Sequence, residues 1–116
     1  MKSIRLIFLC VAGLLLAACD FQKQADAKFG DQQFKTAIAL IELHNVRTGS
    51  YPQSLRDLQF TGDWDGIALG SVEYRQLASG YELNVTRGWV AKPELAYPKE
   101  FWAGLGLVKS NMKATQ

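Results

Sequence analysis

The sequence predicts an α+β fold, with an N-terminal helix packed on a small antiparallel sheet. Three observations predict it. From Asp31 to Thr48 apolar residues recur with a helical period. From Val72 to Val85 they alternate with a period of two. Between the two regimes stands Gly49-Ser50-Tyr51-Pro52, a break that neither a helix nor a strand accommodates.

The chain opens with two basic residues, Lys2 and Arg5, followed by a small or apolar run from Leu6 to Ala18. A charged start, a short apolar stretch and then small residues are the three parts of an export signal. A membrane-spanning helix needs ~20 apolar residues. This run is shorter and carries Gly13, which favours export over spanning. Its end, Leu16-Ala17-Ala18-Cys19, resembles the lipobox of bacterial lipoproteins. The resemblance implies that residues 1–18 are a signal peptide cut between Ala18 and Cys19. It also implies a diacylglycerol on the Cys19 sulfur and a third acyl chain, typically palmitate, on the freed amine. Each buried CH₂ contributes about 0.8 kcal/mol, so two or three chains anchor stably. Asp20 directly after the cysteine resembles a signal for retention in the inner membrane. The expected location is the cell envelope, lipid-anchored and facing the periplasm.

Cleavage would leave Cys19–Gln116, enough for one small domain. Removing Lys2 and Arg5 takes the formal charge from +2 to zero. A neutral chain argues against nucleic acid as a partner. Cys10 would leave with the signal and Cys19 would carry lipid, so no disulfide is expected and stability must come from apolar packing.

Residues 19–30 read as a lipidated tether. Their polar run from Phe21 to Gly30 also suits the first turns of a helix. In the domain proper, 31–109, Phe34, Ala37, Ile38 and Ile41 fall on one helical stripe, with Leu40 and His44 flanking it. Asp31, Lys35 and Glu42 form the polar stripe, and Asp31 and Lys35 have the spacing of a surface ion pair. Gly49 marks the helix end. Ser54-Leu55-Arg56-Asp57 has capping-box spacing and predicts a short helix near Leu55–Leu58. Thr61-Gly62-Asp63-Trp64-Asp65-Gly66 reads as a loop by composition. A hairpin comes next. Pairing Val72 with Val85 and Tyr74 with Leu83 places all four on one face and leaves a Leu77–Gly80 loop. Gly88–Ala91 continues that strand or adds another. Pro93 and Pro98 interrupt regular structure beyond it, Phe101-Trp102 is expected to pack back on the sheet, and 110–116 reads as a frayed tail.

The segment Phe34–Leu58, with its helix ending in Gly49-Ser50-Tyr51-Pro52 and then Ser54-Leu55-Arg56-Asp57-Leu58, resembles the heads of type IV pilins and type II secretion pseudopilins. Gly80-Tyr81-Glu82-Leu83 fits the same pattern, so the resemblance covers about residues 31 to 86. It implies a pilin-like head without the transmembrane half-helix, its place taken by a lipid and a polar stretch. It also implies a pilus or secretion assembly as the natural partner.

His44, the only histidine, sits near a helix C-terminus with no nucleophile or second ligand in view. With no nucleophile, base and oxyanion set, no enzyme is expected. Asp63 and Asp65 flank Trp64 ahead of Gly66, a fragment of a calcium loop lacking its other oxygens. No resident cofactor or metal is therefore expected beyond the lipid, although some pseudopilins bind calcium in a loop. Of the large aromatics, Trp102, Tyr97 and Phe101 are assigned to the core. Trp64 and Trp89, each in a glycine-flanked turn, are the candidates for a partner surface. The expected function is a non-catalytic, membrane-anchored module that binds other envelope proteins. The alternative is a periplasmic ligand- or inhibitor-type domain using exposed aromatics.

Overall fold

The computed structural model describes residues 2–59 and 62–115, the side chains of Lys2 and Leu16 excepted. Leu16 of the lipobox, Thr61 of the expected loop and Gln116 of the expected tail therefore fall wholly or partly outside the described residues. Helix α1 runs unbroken over Lys2–Thr48. The first proline comes only at Pro52, and the helix interior is rich in Ala, Leu, Lys and Gln, all strong helix formers. At 1.5 Å per residue such a helix accounts for the 71 Å long dimension of the molecule. Its apolar N-terminal window has a mean hydropathy of 2.2 and no buried residue, long and apolar enough to cross a membrane; an export signal has the same properties. Gly49 ends the helix with a left-handed φ of 85°, its N–H bonded to the Asn45 carbonyl at 2.8 Å.

The stretch read as a tether is helical, and Asp26 and Gly30 within it are buried. The reason is tertiary: the chain around residues 88–93 packs on this part of α1. Gly88 abuts the Asp26 backbone and Pro93 abuts Gly30, each so closely that a Cβ on the glycine would overlap its neighbour.

After Tyr51-Pro52 a single 3-10 turn covers Leu55–Asp57, with the Ser54 N–H donating to the Asp57 carboxylate at 3.1 Å. The expected 61–66 loop is largely a helix instead, α2, Asp63–Leu69. The Gly62 N–H donates to Asp65 Oδ2 at 3.2 Å, and two carboxylates in the first turn suit the positive end of the helix dipole. Glycine-rich composition suggests a loop, but Gly62 caps the helix and the run after it closes on α1.

Strands β1 (Val72–Gln76) and β2 (Tyr81–Val85) pair antiparallel in the expected register, Val72 with Val85 and Tyr74 with Leu83. Gly80 takes the left-handed φ of 93° that closes the loop. The sheet is not purely antiparallel. Taking the remaining strands in chain order as β3 (Ala96–Pro98), β4 (Leu107–Lys109) and β5 (Lys113–Thr115), β4 adds to β2 in parallel. The chain leaves β2 at one end and returns from the other after running alongside α1, from Gly88 against Asp26 through Pro93 against Gly30 to Gly106 beside Glu42. A second, two-stranded parallel sheet joins β3 to β5, and a short helix α3 (Lys99–Trp102) succeeds β3. Gly88–Ala91 is a turn rather than a strand, its Gly88 N–H donating to the Ala91 carbonyl at 2.8 Å.

The tail is not frayed up to Thr115. Asn111 mimics a strand residue: its side chain accepts from the Val85 N–H at 2.9 Å and donates to the Val85 carbonyl at 2.8 Å. Met112 is buried beside it, and β5 comes directly after. A polar side chain that completes a backbone ladder carries no signature in composition.

The core forms where the α1 stripe of Phe34, Ala37, Ile38 and Ile41 meets Val72, Tyr81, Leu83 and Val85. Phe101 and Trp102 pack on Phe34 and Tyr97, so they close the α1 and β3 side rather than the face of the three-stranded sheet. Glu42 is half-buried rather than fully on the solvated stripe. It accepts from the Tyr51 hydroxyl at 2.9 Å, the Tyr81 hydroxyl at 3.0 Å and the Gly106 N–H at 2.9 Å, tying α1 to the sheet. Burial first, and then the Glu42 carboxylate, push both tyrosine hydroxyls above their ordinary range, so they remain protonated donors. Asp31 and Lys35 pair at 3.1 Å as expected, and Asp31 also accepts from the Tyr97 hydroxyl at 2.8 Å.

Candidate functional site

Trp64 and Trp89 stand on different elements yet line the same groove, of about 320 Å³, with Phe29, Ile67 and Arg87. Trp64 is 82% exposed and Trp89 52%. On α2, Trp64, Ile67 and Ala68 share a face by their three- and four-residue spacing. Ala68 is buried and brings the helix close to α1, whereas the two larger side chains stay exposed. The groove is thus a product of one small residue holding α2 down and two large ones left uncovered beside it.

Trp89 is positioned by Asp26. One carboxylate oxygen of Asp26 accepts from the N–H groups of Trp89 at 2.9 Å, Val90 at 2.7 Å and Ala91 at 3.0 Å. Three successive amides around one oxygen form a concave anion cradle that this side chain itself fills. The Trp89 ring meets Phe21 edge-on, 6.0 Å between centroids. Partners 63 residues apart in sequence, one of them inside an apparent tether, leave no spacing signal by which the sequence alone could find them.

The Val90 N–H above all, with those of Ala91 and Trp89, holds the Asp26 carboxyl below the usual aspartate range against the opposing effect of burial. A carboxyl with a depressed folded-state value contributes its full stabilisation above the ordinary value of 3.8 and loses it as pH falls through the lower, folded value. Acidification below 3.8 is therefore expected to free the 89–91 amides before the β1–β2 core opens. Hydrogen exchange at the two sets of amides checks the order, and simultaneous release would contradict it.

Cys19, Ala18 and Asp20 are all exposed on α1. Cys19 borders an open recess shared with Lys23, Lys92 and Pro93. Asp63 and Asp65 do not form a loop around a cation. They sit in the first turn of α2, where Asp65 is engaged with the Gly62 N–H. Among the described residues no three His, Cys, Asp or Glu side chains gather as a metal site would require. His44 is half-buried beside Leu40, Leu43 and Leu58 near the end of α1, apart from the tryptophan groove. Neither a protein-family profile, nor a curated protein, nor a solved structure matches this chain.

Proposed function

We propose that this chain is a lipoprotein of the bacterial envelope, held through acylated Cys19 with its α+β domain in the periplasm. Asp20 favours the inner membrane. The domain is a non-catalytic binding module for another envelope protein, and its resemblance to pilin heads points to a pilus or secretion assembly. The observation that carries the binding role is the joining of Trp64 and Trp89 in one exposed groove. Tryptophan dominates binding hot spots because it buries a large rigid surface at little entropic cost. A small domain otherwise short of apolar area has reason to keep such rings inside unless a partner covers them.

Affinity capture from solubilised membranes tests this. The processed protein is expected to recover a defined envelope protein, and Trp64→Ala to reduce that recovery about tenfold, the effect of losing ~1.4 kcal/mol. Equal recovery by both forms overturns the reading. The same two rings also suit the alternative, a ligand- or inhibitor-type domain. Retention on peptidoglycan fragments with no protein captured would favour it.

A further inference from the structure

Phe21, Trp89 and Val90 are large, exposed and clustered at the end of the domain nearest Cys19. We propose that this cluster is a second membrane contact, seated in the lipid headgroup region beside the anchor. The proposal rests on attachment at Cys19.

The geometry comes from α1. Asp26, which holds the Trp89–Ala91 amides, lies seven residues beyond Cys19, about 10 Å along the helix axis. Phe21 is closer still. The polar region of each leaflet is about 5–8 Å deep. Acyl chains entering the bilayer from Cys19 therefore bring Phe21, about 3 Å along the axis, to headgroup level. The Trp89 ring meets Phe21 edge-on at 6.0 Å, at the outer edge of a region where tryptophan with its apolar ring and polar N–H is favoured. Charge agrees. Lys23 and Lys92 border the recess at Cys19 and Arg87 lies exposed beside Trp89 in the groove, against Asp20 and Glu94. The Asp26 charge is turned inward onto backbone amides and presents little to the lipid. Basic side chains beside exposed aromatics match an anionic phospholipid surface.

Trp64 differs. Both rings line the groove beside Phe29 to Thr36, about 15–25 Å along the helix from Cys19, but Trp89 reaches back to Phe21, whereas Trp64 on α2 stands beyond the headgroups of an upright domain. A single lipidated residue is a swivel, whereas lipid at Cys19 plus the Trp89 turn makes two points. Trp89 is then the membrane-side wall of the groove, and Trp64 on the opposite wall is held at a set height above the bilayer, toward partners that are themselves at the membrane.

Fluorescence quenching in vesicles separates the two rings. The purified full-length processed protein is reconstituted into phosphatidylethanolamine–phosphatidylglycerol vesicles carrying brominated acyl chains. Quenching is expected in the wild type, to persist in Trp64→Phe, and to fall about twofold or more in Trp89→Phe, since interfacial rings lie within reach of the bromines. Circular dichroism verifies that both variants fold, and intact mass reports acylation. An acylated protein whose Trp89 is unquenched overturns this inference alone, and a protein partner then becomes the occupant of that turn. Equal quenching of Trp64 and Trp89 also overturns it, because the domain would be lying on its groove. An intact mass without acyl chains removes the lipoprotein reading instead; quenching at Trp89 in that form would uphold the contact with the uncleaved helix as anchor.

Discussion

Replacing Cys19 with serine is expected to abolish incorporation of labelled palmitate and leave residues 1–18 attached. The hydroxyl cannot form the thioether on which the later steps depend. The wild type, in contrast, should be labelled and should begin at Cys19. The effect is expected to be all-or-none because the proposed anchoring is covalent. Two or three acyl chains hold firmly at about 0.8 kcal/mol per buried CH₂, and none of that remains without the sulfur. Metabolic labelling with mass spectrometry of the N-terminal peptide reads both outcomes. A wild-type protein that is unlabelled and retains its first eighteen residues ends the lipoprotein reading. The apolar start of α1, exposed along its most hydrophobic window, would then be the anchor itself.

The second large effect is on folding. Phe34 has no exposed surface and its ring faces those of Tyr97, Phe101 and Trp102 at 5.7 to 6.3 Å. Truncating it to alanine removes the ring on which β3 and α3 close over α1. Phe→Ala changes of this kind cost about 3–5 kcal/mol. Total stabilities are typically about 5–15 kcal/mol, and this domain among the described residues has no disulfide to fall back on. Phe34→Ala is thus expected to unfold at a much lower urea concentration, read by near-ultraviolet circular dichroism. Trp64→Ala, 82% exposed, should shift the same midpoint little, within about 0.5 kcal/mol. Comparable losses at both positions would contradict the division between core and groove.

The legible parts share a cause. The α1 stripe, the Gly49 terminus and the β1–β2 register depend on residues close in sequence, whose period states which side faces the core. Trp64 and Trp89 are recognisable as candidates from their glycine-flanked settings, but not as neighbours. The features that escape the sequence are long-range. Glu42 reads as surface because helical spacing says only which residues share a stripe, not what the sheet brings against it. The segment 63–69 reads as a loop because its turn composition outweighs the capping that makes it α2.

By itself the sequence determined the existence of helix and hairpin and the pairing between the hairpin's strands, and it supplied the charged and apolar start on which the lipoprotein proposal rests. Each is a local pattern of size, charge or period, and local patterns survive without knowledge of the rest of the chain. Only the tertiary structure decided that the apparent tether is helix, that the last strands run parallel, and that Asp26 seats Trp89 beside Phe21. Those outcomes depend on which distant backbone finds room against α1. Gly30 and Gly88 provide that room by having no side chain, so the cause is an absence that no pattern of residues announces.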